Sequence, residues 1–401
     1  MAPAEANAKR YIESSYSFVP VGSNLGLHDN GCDASPERFP DSWARQGVGR
    51  PAMIGIGMVG HGMMGRWHSE ALKLRADCRL RILIGRRPEP TEKFAREFGY
   101  DKCSTKLDDL LGDPAVHVAV IASPSEDHAS MAIKALEHGK HALVEIPIGM
   151  SYAESAAVVE AAKKAGRKLG LVYPMRMMAD MKTLRDRVAA GQEELRLVDS
   201  RFIIERWENV GATGYRRSWT DNLLWHHLSH LVDFAMWLTG STPRSISGHL
   251  PAPDPKTGTP MDVFVGVSTD REQSLIFLGS YAGHRPICDT LVLTNRDCYQ
   301  LDAVSSSLTT AGGTTQLPSE QVDCAAALCD FLDAVRNGRE PAITGQSTLS
   351  TMRILQVVQN AWDAKHGIGP IPGRVGPRDK EGRPGDARFD FAPPQGHDDI
   401  M

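Results

Sequence analysis

The 401-residue chain lacks several things at once. No apolar run approaches the roughly 20 residues that a bilayer crossing needs, so a membrane-spanning protein is not expected. The N-terminus has no charged-then-apolar export pattern, and a cytoplasmic location follows by default. None of the seven cysteines forms a C-x-x-C pair, and their number is odd. That favours free thiols in a reducing compartment over a disulfide framework or a structural zinc site. The formal net charge of -4 supplies no basic field, so nucleic acid is not an expected partner. No internal repeat is present.

What remains is an ordinary globular composition, 41% hydrophobic and 23% charged, in a chain long enough for two domains. Residues 1–50 carry Pro, Gly, Ser and Asn without periodicity and read as an irregular leader; residues 369–401 read as a flexible tail. Between them, "AMIGIGMV", "LRILIG", "VHVAVIAS", "HALVEI" and "KLGLVY" are short apolar strands separated by helical patterns of ten to fifteen residues. Strands that alternate with helices in this way pair in parallel, with both sheet faces covered. Residues 51–173 are therefore expected to form a doubly wound Rossmann domain. After Tyr173 a helix at about 176–191 leads to "LRLVDSRFIIERW", a second helix around 221–239, and then clustered strands "DVFVGVS", "SLIFLGSYA" and "ICDTLVLT". Two closing helices follow, so residues 174–368 predict an α+β domain whose largely antiparallel sheet is open on one face.

The run "MIGIGMVGHGMMGRWH" sets Gly60, Gly62 and Gly65 as G-x-G-x-x-G between a strand and a helix. The first glycine permits the tight turn, the second admits a pyrophosphate to the backbone, and the third lets helix and strand approach. The N–H groups of Met63, Met64 and their neighbours at the helix start then face phosphate. An NAD-preferring fold carries an acid at the end of the second strand. This chain has "IGRRPEP" there, where Arg86 and Arg87 can grip a 2′-phosphate; NADP is the expected cofactor, with NAD possible. His61 inside the loop can touch the pyrophosphate or face solvent, whereas Arg66 and His68 suit fold or phosphate contacts.

These features, with "ASPSEDH" (Ser123, Pro124, His128), "EIP" (Glu145, Ile146, Pro147) and "FLDAVRNGREP", resemble the glucose–fructose oxidoreductase/inositol dehydrogenase (Gfo/Idh/MocA) family over roughly residues 52–368. The resemblance implies cofactor contacts at Ser123, Pro124, His128, Glu145 and Pro147. Two of the family's three catalytic positions differ. Its lysine between Glu and Pro is Ile146, and the first aspartate of its Asp-x3-His-x2-Asp pattern is His226 in "HHLSHLVD", while His230 and Asp233 match. "RSWTDNLLWHHLSHLVDF" together with "VEIP" resembles the branch that oxidises the cyclic hemiacetal of 4-carboxy-2-hydroxymuconate-6-semialdehyde to 2-pyrone-4,6-dicarboxylate. Family relatives commonly pair through the open sheet face, so a homodimer or higher oligomer is implied.

At 100° per residue, Leu224, Leu228, Leu231, Ala235 and Leu238 form the core stripe of the histidine helix. His226, His230 and Asp233 fall opposite, with His227 between. An imidazole can accept a hydroxyl proton at neutral pH, so His230, helped by His226 and with His227 as a third candidate, replaces the missing lysine as base. Asp233 is expected to orient the pair. The same spacing can hold a metal, but without an H-E-x-x-H glutamate or a nearby cysteine no metal is expected. A dicarboxylate substrate calls for arginines, and Arg176, Arg206, Arg216 and Arg217 lie in segments expected to border the pocket, with Arg217 first among them. Tyr173 and Trp219 are candidates to line the substrate ring, Trp219 equally a packing residue. Two other readings stand beside this one: a dehydrogenase of a carboxylated cyclohexadiene cis-diol, and a non-catalytic NADP-binding sensor.

Overall fold

A computed structural model describes residues 53–209, 222–317 and 324–366. The first half is a six-stranded parallel sheet in the order β3-β2-β1-β4-β5-β6. Its strands are β1 (Ile54–Val59), β2 (Cys78–Ile84), β3 (Lys102–Ser104), β4 (Val118–Ile121), β5 (His141–Val144) and β6 (Leu169–Leu171). Every residue of β1, β4, β5 and β6 is buried, as expected of strands covered on both faces. The connecting helices are α1 (Met63–Lys73), α2 (Pro88–Phe98), the short α3 (Leu107–Leu111), α4 (His128–Glu137) and α5 (Tyr152–Ala165). The strand order reverses between β1 and β4, and the crevice beyond their carboxyl ends is where such sheets bind ligands.

A single turn of tighter helix, Pro174–Met177, and α6 (Ala179–Ala189) lead into the second half. Its sheet has eight strands in the order β14-β13-β12-β11-β7-β10-β9-β8, antiparallel throughout except for the β7–β10 pair. β7 (Leu195–Glu205), β9 (Asp262–Thr269), β10 (Ser274–Ser280) and β11 (Ala282–Thr294) form its centre. The hydrophobic pattern did not announce β8 (Pro243–His249), β12 (Cys298–Asp302), β13 (Ser307–Thr310) or β14 (Gly313–Gln316), which are short or largely polar. Alternation is clear on the central strands: Val263, Val265, Leu275 and Phe277 are buried beneath the helices, while Phe264 and Leu278, paired across β9 and β10, are exposed on the other face.

The helix α7 (His227–Thr239) lies on β7 and β10 and also touches α9 (Leu349–Lys365) and α6. It starts later than its apolar pattern suggests. Asn222 Oδ1 accepts the Leu224 N–H at 2.9 Å, and its carbonyl accepts the His226 N–H at 2.9 Å, which makes a separate turn that leaves His226 as the residue capping the helix. The expected boundary at 173 is crossed again near the end of the chain. α8 (Cys324–Asn337) returns to the first sheet, where Phe331 fills the space left open at Gly170. There Arg75 bridges Asp77 and Asp333, each at 2.7 Å, and Arg336 reaches Asp77 at 2.8 Å. The two halves are thus tied by packing and by ion pairs.

Candidate active site

The glycine loop sits at the point of strand reversal. Gly60 has φ +100°, and a Cβ there would lie 2.3 Å from the Ala122 carbonyl oxygen at the end of β4. A side chain at Gly65 would meet the Gly60 carbonyl at 2.3 Å, so α1 can rest on the loop only without one. Nothing lies within 4 Å of a Cβ built on Gly62. The loop is closed behind and open in front, which fits a dinucleotide pyrophosphate against the N–H groups of Met63 and Met64 at the helix start.

At the end of β2, Arg86 and Arg87 are both exposed at the rim, with Arg87 capping α2. Arg86 reaches across the crevice to Asp127, Nη2 to Oδ2 at 2.6 Å. His61 packs beneath this rim, its ring 5.9 Å from that of Phe94, and burial lowers its proton affinity, with Arg87 adding to the effect. Arg66 pairs with Glu97 at 2.5 Å and lies over Phe94 and Phe98, a fold role.

On the other side of the crevice, Ser123 and Pro124 are partly exposed at the end of β4. His128 is 1% exposed and its ring nitrogens each lie 2.8 Å from a carbonyl oxygen, those of Pro147 and Ser123. It therefore shapes the cofactor loops from behind and does not line them, a correction to its expected contact role. Glu145 is likewise spoken for: His68 Nε2 is 2.6 Å from its Oε1 in a buried pair. Ile146, where the family has lysine, is 6% exposed and belongs to the apolar core, and Pro147 is buried with it.

Tyr173, just after β6, joins this crevice to α7. Its ring meets that of His230 edge-on at 5.6 Å. It is only 2% exposed, so it walls the histidine and presents little surface to a substrate ring; burial pushes its phenol well above its usual range. His230 and His226 are partly exposed. Burial, with His226 adding to it, holds the His230 imidazole down at about 3, so it is deprotonated at neutral pH. His227 is 1% exposed, stacked on Phe202 at 4.1 Å and edge-on to His226 at 4.3 Å.

Three expectations about charge fail here. Asp233 does not share an open face with the histidines. It is fully buried and takes two bonds from Arg176, Nε to Oδ2 at 2.7 Å and Nη2 to Oδ1 at 2.5 Å. Burial pushes the Asp233 carboxyl up while the guanidinium pulls it back. Arg176, expected at the mouth of the cleft, is 2% exposed and also bonds Ser347, so it is not available to a substrate. The pairing also removes the third ligand of the metal alternative. Arg206 is 5% exposed and donates to the Tyr281 hydroxyl at 3.0 Å and to Asn209 Oδ1. Its guanidinium is committed to the interior, again against expectation. Tyr281 and Phe202, which touch His227, carried no signal in the sequence beyond their residue type. Arg216, Arg217 and Trp219 lie outside the described residues.

A glycine-looped parallel sheet, joined through Tyr173 to a histidine-bearing helix on a second sheet, is the arrangement of a dinucleotide-dependent oxidoreductase. Comparison with known proteins agrees. Residues 54–173 match a family model described as an oxidoreductase family with an NAD-binding Rossmann fold, GFO_IDH_MocA, and residues 180–299 match one described as the C-terminal domain of bacterial oxidoreductases. The chain belongs to this Gfo/Idh/MocA oxidoreductase family. It is 26% identical over 318 residues to a 4-carboxy-2-hydroxymuconate-6-semialdehyde dehydrogenase of Sphingobium sp., an alignment covering 75% of this chain and 96% of that one. A scyllo-inositol 2-dehydrogenase (NAD(+)) of Bacillus subtilis is 27% identical over 204 residues, 50% of this chain and 56% of that one. Among solved structures, a levoglucosan dehydrogenase in complex with NADH and levoglucosan shares the fold with TM-score 0.68 at 18% identity, covering 78% of this chain and 97% of that one. An oxidoreductase domain protein from Kribbella flavida shares it with TM-score 0.69 at 21% identity, covering 79% and 98%.

Proposed function

We propose that the protein is an NADP-dependent dehydrogenase acting on a CH–OH group, and that its substrate is the cyclic hemiacetal of 4-carboxy-2-hydroxymuconate-6-semialdehyde, oxidised to the lactone 2-pyrone-4,6-dicarboxylate. The observation that carries this reading is the buried Ile146 at the family's lysine position, together with His226, which caps α7, and His230 on it, both partly exposed. An anomeric hydroxyl is more acidic than a simple alcohol, so its proton can pass to a histidine without a lysine. Similarity to a dehydrogenase of that semialdehyde, spanning 96% of that protein's length, supports the same substrate.

A nicotinamide dinucleotide held at the glycine loop would supply the two-electron acceptor for hydride leaving the anomeric carbon. His230 takes the hydroxyl proton as the C–O bond becomes the lactone carbonyl. Its low proton affinity leaves the ring unprotonated at neutral pH, and a dianionic substrate beside it would raise that affinity toward the value a general base needs. Arg86 and Arg87 are suited to the 2′-phosphate of NADP; Arg86 would exchange Asp127 for it. Arg217 remains the proposed partner of a substrate carboxylate, since Arg176 and Arg206 are committed inside the protein. The open sheet face, with Phe264, Leu278 and Leu293 exposed on it, supports assembly with a second copy of the chain.

The test is to add NADP and freshly prepared protocatechuate 4,5-cleavage product to the purified protein and follow NADPH absorbance, with NAD and His230→Ala in parallel. Turnover that prefers NADP and falls by roughly 10²–10⁴ in the variant is expected, the range for loss of a general base. Bound cofactor without turnover would refute the substrate, and turnover unaffected by His230→Ala would refute the base.

A further inference from the structure

Behind the two partly exposed histidines lies a chain of buried polar groups that the reaction as written does not use. Arg206 ends the β7 segment and Tyr281 follows β10; their backbones are joined, Arg206 N–H to the Tyr281 carbonyl at 2.8 Å. The Arg206 guanidinium donates to the Tyr281 hydroxyl at 3.0 Å and stacks over the phenol ring at 5.1 Å. The same hydroxyl is 2.6 Å from His227 Nδ1. The His227 ring is held flat against Phe202, at 12° between planes, and abuts His226 at 74°.

We infer that Tyr281, backed by Arg206, is a positioning residue: it holds His227 in the tautomer that carries its proton on Nε2 and, through that fixed ring, sets the orientation of His226 at the cleft. The inference rests on the histidine cluster being the proton-handling site proposed above. A guanidinium only donates, so the Tyr281 oxygen accepts from Arg206. The positive charge beside that oxygen favours the phenol as donor, and its proton is assigned to His227 Nδ1. A hydroxyl polarised by a buried cation is a stronger donor than an isolated one, and the same cation opposes a second charge on the imidazole. Among the described residues, the titratable groups around His227 are Arg206 just after β7, Tyr281 after β10, His226 at the helix start and His230 one turn on. Of these, Arg206 is the permanent charge, and it acts through Tyr281. A ring locked on one face by Phe202 and at Nδ1 by Tyr281 has no freedom to tilt, so His226, packed against it, keeps its aim.

The experiment reads the imidazole nitrogens directly, by 15N NMR of histidine-labelled protein without substrate, with His227 assigned by its loss in His227→Gln. In the native protein, His227 is expected to show a protonated Nε2 and a lone-pair Nδ1 at neutral pH. Tyr281→Phe keeps the ring but removes the hydroxyl; His227 should then populate both tautomers, and kcat should fall about tenfold with KM nearly unchanged, the worth of one oriented hydrogen bond. Arg206→Met should move the same resonances in the same direction. A native His227 that carries its proton on Nδ1 overturns the inference, and this outcome is readable even if a variant fails to fold. So does a Tyr281→Phe spectrum with the native tautomer retained. The expected spectra in a protein that oxidises no hemiacetal would refute the proposed function and leave the positioning intact.

Discussion

Replacing Arg176 by methionine separates two roles that the chain position alone allows. If the arginine were a substrate arm, its loss would raise KM and leave stability alone. The structure instead buries it at 2% exposure with both of its carboxylate bonds on Asp233, itself fully buried. Methionine can fill most of the stem's volume but strands the carboxylate, whose remaining neighbour is the Thr351 hydroxyl at 3.4 Å. Breaking one side of a buried pair costs about 3–5 kcal/mol, because a charge is left without compensation. For a chain of this size that corresponds to a fall in Tm of about 5–8 °C. The stranded Asp233 would favour its protonated form in the folded state only. The folded protein then binds more protons than the unfolded one, so the penalty grows as pH rises through and above the carboxylate range and shrinks in acid. Thermal unfolding at pH 8 and pH 5 reads this directly. Adding Asp233→Asn to Arg176→Met should recover most of the loss. A Tm within about 2 °C of the parent, together with a raised KM, would refute the structural role and restore Arg176 to the substrate.

Acid should weaken the fold through two histidines. Burial holds both His141 and His230 at about 3, well below their ordinary 6.5, so the folded state binds fewer protons and stability is lost as pH falls below 6.5. At pH 5 each costs about 2 kcal/mol, partly offset by about 1–2 kcal/mol from Asp363, whose carboxyl burial lifts to about 6 and which therefore destabilises more at neutral pH than in acid. Urea midpoints measured from pH 7 to 5 should show a net loss on the order of 2–3 kcal/mol, reduced in His141→Gln; equal stability at both ends would contradict the reading. Leu278→Glu on the open sheet face should shift the protein to a smaller species in sedimentation at unchanged secondary structure. A parent that already sediments as a monomer would remove the basis of the proposed self-association.

Much of this was readable without coordinates, and the reason is locality. The strands of the first sheet are short apolar runs, each followed within a few residues by its helix, so the pattern of the chain is the pattern of the layers. The glycine loop is local too: Gly60, Gly62 and Gly65 act on one turn, and their spacing carries the physics of the phosphate site. The substitution of lysine by Ile146, and the run of histidines at 226, 227 and 230, were likewise visible in the residues themselves. Periodicity placed the leucine stripe of α7 correctly but not the first turn of the helix, because Asn222 captures the backbone there with its own side chain.

Tertiary structure alone decided which charges are spent. Arg176 and Asp233 lie 57 residues apart, and nothing near either says that they neutralise each other; Asp233 looks like a site residue until its partner is seen. Arg206, Tyr281 and His227 come together from two strand ends and a helix, so their connection exists only once the second sheet is built. A periodic pattern reports which face of an element is apolar, because burial of apolar surface is a property of each segment. A buried polar group must instead find one specific partner, and that partner is chosen by the fold.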